Sequence, residues 1–407
     1  MRKHKSDLVI LFSTLGLMAL GLIIIYAIGP MRANVLNNTY GTDYDSNFFF
    51  LGQLRSVGIA VGAFFLAFKV IPYKYVRKAA KPIMIIALIL SGLLWVLALS
   101  GSSLAKCELG ECRWYNLGPV SFQPAELLKL ALVIYLADFL ARKKEEGSIG
   151  KGKEFWLPLI IVCGLSLGLV VVGQGDLGTG VALMSIIFGM LLVSGLSAKQ
   201  YLIMLAIVLV TAIGAIATSS HRMERINAWF DTISGAASND STYHIENAML
   251  AIGTGGFFGV GIGNSVQATG YLPESINDSV FAIMGETFGF VGLFGILFVF
   301  GAMLLHMLKV SDHTVHTNDR LFVIGVFSWT LAQVAVNIMA MTGLVPVTGI
   351  TLPLLSYGGT SMVFISFAIG LVSQLSCYTS REGIKDEDTS SRRGLRGAHY
   401  SSRRRRS

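Results

Sequence analysis

Unbroken apolar stretches, each close to the ~20 residues needed to cross a hydrocarbon core, recur from one end of this chain to the other. Few folds are open to such a pattern. In lipid every backbone N–H and C=O must be satisfied within the protein, which leaves helices or closed barrels, and continuous runs lack the alternation of a barrel strand. Composition agrees, with 53% apolar and 14% charged residues, far from the soluble average. The chain therefore reads as an all-α polytopic membrane protein. Ten spans are predicted, near residues 8–29, 52–72, 82–100, 122–141, 155–173, 178–196, 200–218, 280–308, 321–343 and 357–377.

The net charge of +8 matters less than its placement, which is at membrane borders and not in a nucleic-acid-binding patch. Arg2, Lys3 and Lys5 precede the first span; Lys74, Arg77, Lys78 and Lys81 follow the second; Arg142, Lys143, Lys144, Lys151 and Lys153 follow the fourth. Such flanks mark the cytoplasmic side, and an even span count puts both termini there. The first span is longer than a signal-peptide core, lacks a small-residue cleavage site, and reads as retained.

Residues 1–377 form one transmembrane domain on this reading. The serine- and arginine-rich residues 378–407 read as a disordered basic cytoplasmic tail. The polar stretch of about 218–279 becomes a large outer loop, and at that length it is predicted to contain short helices. Cys163 and Cys377 fall in or beside spans and read as apolar packing residues. Cys107 and Cys112 share a short outer loop, where either a local disulfide or two free thiols fits.

Several constellations could carry chemistry. The fourth span opens Gln123-Pro124-Ala125-Glu126, with Lys129 one turn on, so Glu126 and Lys129 share a helical face and can pair. Such a pair either lines a cavity or fixes helix packing. Arg113, Arg222 and Arg225 stand among Trp114, Tyr115, Trp229 and Phe230, a mixture suited to a phosphate-bearing headgroup or to ordinary interfacial anchoring. Asp176 reads first as the cap of the sixth span. Asp278, just before the eighth, is open between a helix cap and a general base under a polar loop. The run Gly343 to Ser361, with two prolines and four glycines, is either a shaped re-entrant turn or a plain connector. No Walker A loop, zinc-ligand cluster or Gly-x-Ser-x-Gly elbow is legible.

At these positions the chain resembles the SEDS family (shape, elongation, division and sporulation proteins) over nearly its whole length apart from the tail. The resemblance rests on Arg113-Trp114, on Gln123-Pro124-Ala125-Glu126 with Lys129, and on Gln174-x-Asp176-Leu177-Gly178. It extends through Gly263-Asn264-Ser265-Val266-Gln267, Leu272-Pro273-Glu274, Asp278, Leu352-Pro353 and Ser356-Tyr357-Gly358-Gly359. Asn264 to Gln267 followed by Tyr271-Leu272-Pro273-Glu274 is more similar to the division-type FtsW branch than to the elongation-type RodA branch.

The resemblance implies a peptidoglycan glycosyltransferase that polymerises lipid II, with Asp278 as the essential catalytic residue and a class B penicillin-binding transpeptidase as partner. It implies that Glu126 and Lys129 line an outer cavity; Arg113, Arg222, Arg225, Gln123 and Glu274 complete the candidate substrate contacts. A division-type member would work at the septum among other divisome membrane proteins. A departing pyrophosphate needs positive charge, for which Lys129 and the three arginines are candidates; a divalent cation, Mg or Mn, near Asp278 is the one cofactor left open. Gly175 stands where many members have proline, and His244 and Asn247 where glutamines often follow the loop tyrosine. The alternatives are a lipid II flippase, an elongation- or sporulation-type (RodA-like) polymerase, and a division scaffold. Polar groups gathered at the outer ends of spans favour the enzyme.

Overall fold

The computed structural model describes residues 6–108, 111–118, 121–217, 220–235 and 242–379. Its helices are α1 (Leu8–Tyr40), α2 (Phe48–Phe65), α3 (Tyr73–Lys78), α4 (Ala80–Leu99), α5 (Pro124–Glu145), α6 (Lys153–Leu167) and α7 (Leu177–Ser194). They continue as α8 (Ala198–Ala217), α9 (Ser220–Ser234), α10 (Tyr243–Thr254), α11 (Val280–His313), α12 (Thr317–Met341) and α13 (Gly359–Leu375). Every one of the ten predicted spans falls on a helix, the remaining three being α3, α9 and α10. α2 and α6 end in π-helical turns that reach Val70 and Gly173.

By length and composition, eight helices among the described residues can cross a membrane. α5 falls outside that set because Glu126, Lys129, Asp138 and a basic last turn interrupt its apolar run. Its position explains the tolerance: it packs against α4, α7, α12 and α13, so Glu126 and Lys129 face protein and not lipid, and Asp138 is paired with Arg77 and Arg142. Burial separates inner from outer helices, with 72% of the apolar window of α12 buried against 22% for α4.

Local chemistry sets the ends. Asp7 caps α1 by accepting from Val9 N at 2.9 Å, and Gly41 closes it in the left-handed region, its N–H donating to Asn37 O at 3.0 Å. α1 therefore runs on to Tyr40, through Pro30, instead of ending near residue 29. Pro124 occupies the first turn of α5 and Asp176 caps α7, accepting from Thr179 N at 2.9 Å. The capping reading of Asp176 holds.

The long α11 is interrupted at Gly289 (φ 66°, ψ −166°). The glycine-rich segment after α10 closes the break: Phe290 N donates to Gly256 O at 2.9 Å and Val260 N to Glu286 O at 2.9 Å. A Cβ at Gly289 would stand 2.3 Å from Gly259 N, so only glycine fits.

The all-α expectation has one exception. The loop before α5 is a three-stranded antiparallel sheet, β1 (Ala105–Glu108), β2 (Glu111–Asn116) and β3 (Ser121–Phe122). Cys107 and Cys112 face each other across β1 and β2 and are joined as a disulfide. Cys163 and Cys377 are free and buried. The large loop contains α9 and α10, the short helices predicted for it. The run before α13 is a shaped turn held in protein: Leu352, Leu354 and Leu355 are buried, and Leu354 adopts φ 67°. The predicted tail lies, from residue 380, outside the described residues.

Candidate active site

Where the sheet, the starts of α5 and α7, the helix α9 and the segments before α11 and α13 converge, they enclose a cavity of about 450 Å³. Arg113, Gln123, Glu126, Arg225, Glu274 and Asp278 all line it. Residues distant in sequence thus meet in one chamber.

Asp278 is 7% exposed, and its Oδ1 is buried without a hydrogen-bond partner. The cap position of α11 falls on Ser279 and no side chain caps it, so the carboxylate is not used as a helix cap. Burial first, and the neighbouring Glu274 charge second, push the Asp278 carboxyl up to about 7, against smaller opposing effects of backbone N–H groups and Arg225. Its backbone is fixed independently of its side chain. Asn337 Nδ2 on α12 donates to Asp278 O and to Ile350 O, both at 2.7 Å, and ties the segment before α11 to the turn before α13. Tyr357 N adds a second tie, donating to Ile276 O at 2.8 Å.

Glu274 sits at φ 48°, unusual for a non-glycine residue. Its Oε1 lies 3.3 Å from Arg32 Nη2, and Asn277 Nδ2 donates to its other oxygen. His244 Nε2 is 2.7 Å from Ser279 Oγ, whose single proton goes to Pro273 O at 2.8 Å. The histidine is therefore the donor, with its proton on Nε2. Burial and Arg225 hold His244 down at about 4, so it is neutral at physiological pH.

Glu126 and Lys129 pair as predicted, Nζ to Oε1 at 2.7 Å, both essentially out of solvent. The Lys129 ammonium also lies 5.0 Å from the centre of the Trp329 ring. Glu126 lines the chamber with its Oε2 unpartnered, whereas Lys129 is fully buried and outside the lining. Arg113 lies beside Glu111 and 4.0 Å from Asp176. Gln123 Nε2 donates to Asp176 Oδ2 at 3.3 Å.

α9 is clamped to the turn before α13, Trp229 Nε1 donating to Gly343 O at 2.8 Å and Arg225 Nη1 to Val347 O at 3.5 Å. Arg222, one turn earlier, instead turns to Val171 O at the end of α6. It does not join the lining residues. Sequence reasoning passed over Asn337, Gln333 and Glu286. Gln333 lines the chamber with a buried, unpartnered Oε1. Glu286 accepts from Ser265 Oγ at 2.5 Å and Val266 N at 2.9 Å, and so shapes the loop leading to Glu274. A polar or acidic residue inside an apolar span was the available signal for all three.

Fold and site together define an integral membrane protein with a chamber of acids and arginines at one end of its helix bundle. The chain belongs to the SEDS family: the family profile described as "Cell cycle protein", which groups FtsW, RodA and SpoVE, matches residues 7–381. It is 33% identical to Stage V sporulation protein E of Bacillus subtilis over 93% of this chain and 99% of that protein. It is 32% identical to the probable peptidoglycan glycosyltransferase FtsW of Tolumonas auensis, over 92% and 93% of the two chains. Sporulation-type and division-type relatives are thus about equally similar. Among solved structures it resembles a chain of a peptidoglycan synthase complex that coordinates polymerization and crosslinking, with a TM-score of 0.70, 24% identity, and 93% and 99% of the two chains covered.

Proposed function

We propose that this protein is a peptidoglycan glycosyltransferase that polymerises lipid II into glycan strands, with Asp278 as its general base. The observation that carries the reading is the buried, unpartnered Asp278 Oδ1 in a chamber shared with Arg113 and Arg225. Asp278 takes the proton from the acceptor sugar hydroxyl of lipid II as that oxygen attacks the anomeric carbon of the lipid-linked donor strand. The new C–O bond replaces the bond to undecaprenyl pyrophosphate, which departs with inversion at the anomeric carbon. A carboxyl tuned to about 7 is matched to this task near neutral pH. Arg113 and Arg225 are placed to neutralise pyrophosphate. Lys129 serves at one remove, holding Glu126 at the chamber wall.

The protein's described side chains form no closed cage for an Mg or Mn ion, which is usually held by one or two carboxylates together with substrate phosphates. Among the described residues no group of three or more His, Cys, Asp or Glu could hold one, and Glu274, beside Asp278, is engaged by Arg32 and Asn277. No step is routed through a metal.

The basic borders support placing both termini in the cytoplasm and the chamber on the outer face. The division-type motifs support a septal role in the bacterial inner membrane with a class B penicillin-binding transpeptidase and other divisome membrane proteins as partners. A flippase, the alternative, is less well served by a chamber at one end of the bundle.

The test is polymerisation of labelled lipid II by purified wild-type and Asp278→Asn protein, each with the cognate transpeptidase and each shown folded by its thermal midpoint. Loss of strands in the variant is the expected result. Strand formation at the wild-type rate would remove Asp278 from the mechanism.

A further inference from the structure

α5 begins at the chamber and ends beside a second cavity. From Glu126 to Arg142 the helix rises ~24 Å, and there α3, the start of α4 and the last turns of α5 border an open cavity of about 540 Å³. Lys74, Arg77, Lys78, Lys81 and Arg142 line it together with a single carboxylate, Asp138.

That carboxylate is already shared, 3.3 Å from Arg77 Nε and 3.0 Å from Arg142 Nη2. Lys74 lies 5.0 Å from the centre of the Tyr75 ring. Among the described residues, neither Lys78 nor Lys81 has a carboxylate within ion-pair distance. α4 adds its positive end to the same space, with no side-chain cap and no acid in its first turn. Cations therefore outnumber anions here well beyond mutual neutralisation.

Lysines at a membrane border ordinarily need no ligand. These differ in being mounted on a fixed frame around a cavity. Tyr73 N donates to Gln374 Oε1 at 2.7 Å and Tyr73 Oη to Asn318 Oδ1 at 2.8 Å, pinning α3 to α13 and α12. Gln374 Nε2 in turn donates to Ala67 O and Ile71 O, both at 2.9 Å.

The face of α4 that leaves the cavity distinguishes a lipid from a soluble phosphate. Lys81 and Pro82 line the cavity, and Ile85, Ile86 and Ile89 follow at helical spacing on the same face. Those three isoleucines are more than half exposed, and α4 is the least buried of the candidate spans. Acyl chains can cover them; free phosphate cannot.

We propose that this cavity binds the phosphate headgroup of an anionic phospholipid whose acyl chains lie along the exposed face of α4. The site is independent of the chemistry at the chamber and of which compartment each end faces. It is testable on the full chain in uncharged detergent micelles, with binding of phosphatidylglycerol and phosphatidylcholine read by native mass spectrometry. Wild-type protein is expected to prefer phosphatidylglycerol, and the Lys78→Gln/Lys81→Gln variant to bind it about 30-fold more weakly, from the loss of two headgroup cations. Lys151→Gln/Lys153→Gln, a charge-matched control away from the cavity, should bind within about 2-fold of wild type, and inorganic phosphate should not displace the lipid. Unchanged thermal midpoints in both variants exclude misfolding. Equal affinity for the two lipids, an equal loss in the control, or displacement by inorganic phosphate would overturn the proposal.

Discussion

Two of the buried acids that line the chamber stand in opposite circumstances. Glu126 has its own counter-ion three residues along the helix, Lys129 Nζ at 2.7 Å. Asp278 has none, and the charge of Glu274 works against its ionisation. A paired buried acid is structural equipment: its charge is spent on the partner, and removing either member strands the other. An unpaired buried acid destabilises the fold when ionised and is, for the same reason, ready to take a proton. The contrast separates wall from base more sharply than exposure does, since both residues are nearly fully buried.

The strongest way to break the comparison is Asp278→Asn, which should cost activity and improve stability. Removing a general base lowers the rate by about 10²–10⁴-fold. For stability the sign follows from the raised folded-state value, about 7 against 3.8. Between those values the unfolded chain releases the proton and the folded chain keeps it, so stability falls as pH rises and is lowest above about 7. Asparagine removes that penalty. Asp278→Asn should therefore show a higher thermal midpoint than wild type at pH 8, with the gap narrowing toward pH 5. A lower midpoint at pH 8 would mean that the carboxylate is held by interactions and is not poised.

The opposite behaviour is expected of the pair. Lys129→Met leaves Glu126 buried without its cation and should cost about 3–5 kcal/mol in stability. The double variant Glu126→Gln/Lys129→Met should recover most of it, because a neutral pair has little charge left to bury. Unfolding of the three proteins in one detergent measures the coupling. If the double variant is as unstable as Lys129→Met, the pair is not what holds this wall.

How much of this could be read in the chain differs between the two acids. Glu126 and Lys129 were legible because helical spacing alone brings positions three apart together, and the ten spans because hydropathy is a local property. Asp278 reads in sequence as either cap or base, since spacing alone does not say whether the helix that follows uses the carboxylate. The fold answers it by leaving the carboxylate uncapped and its Oδ1 unpartnered, while Asn337 on α12, 59 residues away, holds only the Asp278 backbone carbonyl; an asparagine in an apolar helix carries no mark of which carbonyls it will meet. Arg222 and Arg225 looked equivalent in sequence, yet one reaches the chamber and the other Val171 O. The small sheet escaped notice because its short strands stand between two strong helical signals.

Asn337 offers a smaller perturbation. Replacing it by alanine leaves the carbonyls of Asp278 and Ile350 without their shared donor, at about 1–3 kcal/mol. As a positioning residue it should lower kcat more than it raises KM, with about a tenfold loss of kcat for ~1.4 kcal/mol of lost alignment. An unchanged kcat with lost stability would confine Asn337 to holding the two segments together.

The finest test leaves Asp278 in place and changes what surrounds it. A base must be ionised, so kcat/KM should rise with pH through about 7 and level off above it. Glu274 raises the carboxyl and Arg225 lowers it, so their neutral variants should move the acid limb in opposite directions. Glu274→Gln shifts it to lower pH and Arg225→Gln to higher pH, each by a few tenths of a unit, on the order expected for screened charges at a water-filled cavity. Arg225→Gln also loses absolute rate through weaker pyrophosphate neutralisation, but the midpoint of the limb is read independently of its height. Opposite shifts would tie the limb to Asp278, because burial of that carboxyl is common to both variants and only the sign of the neighbouring charge differs. A limb that moves the same way in both, or stays fixed, would assign the titration to the substrate or to another group.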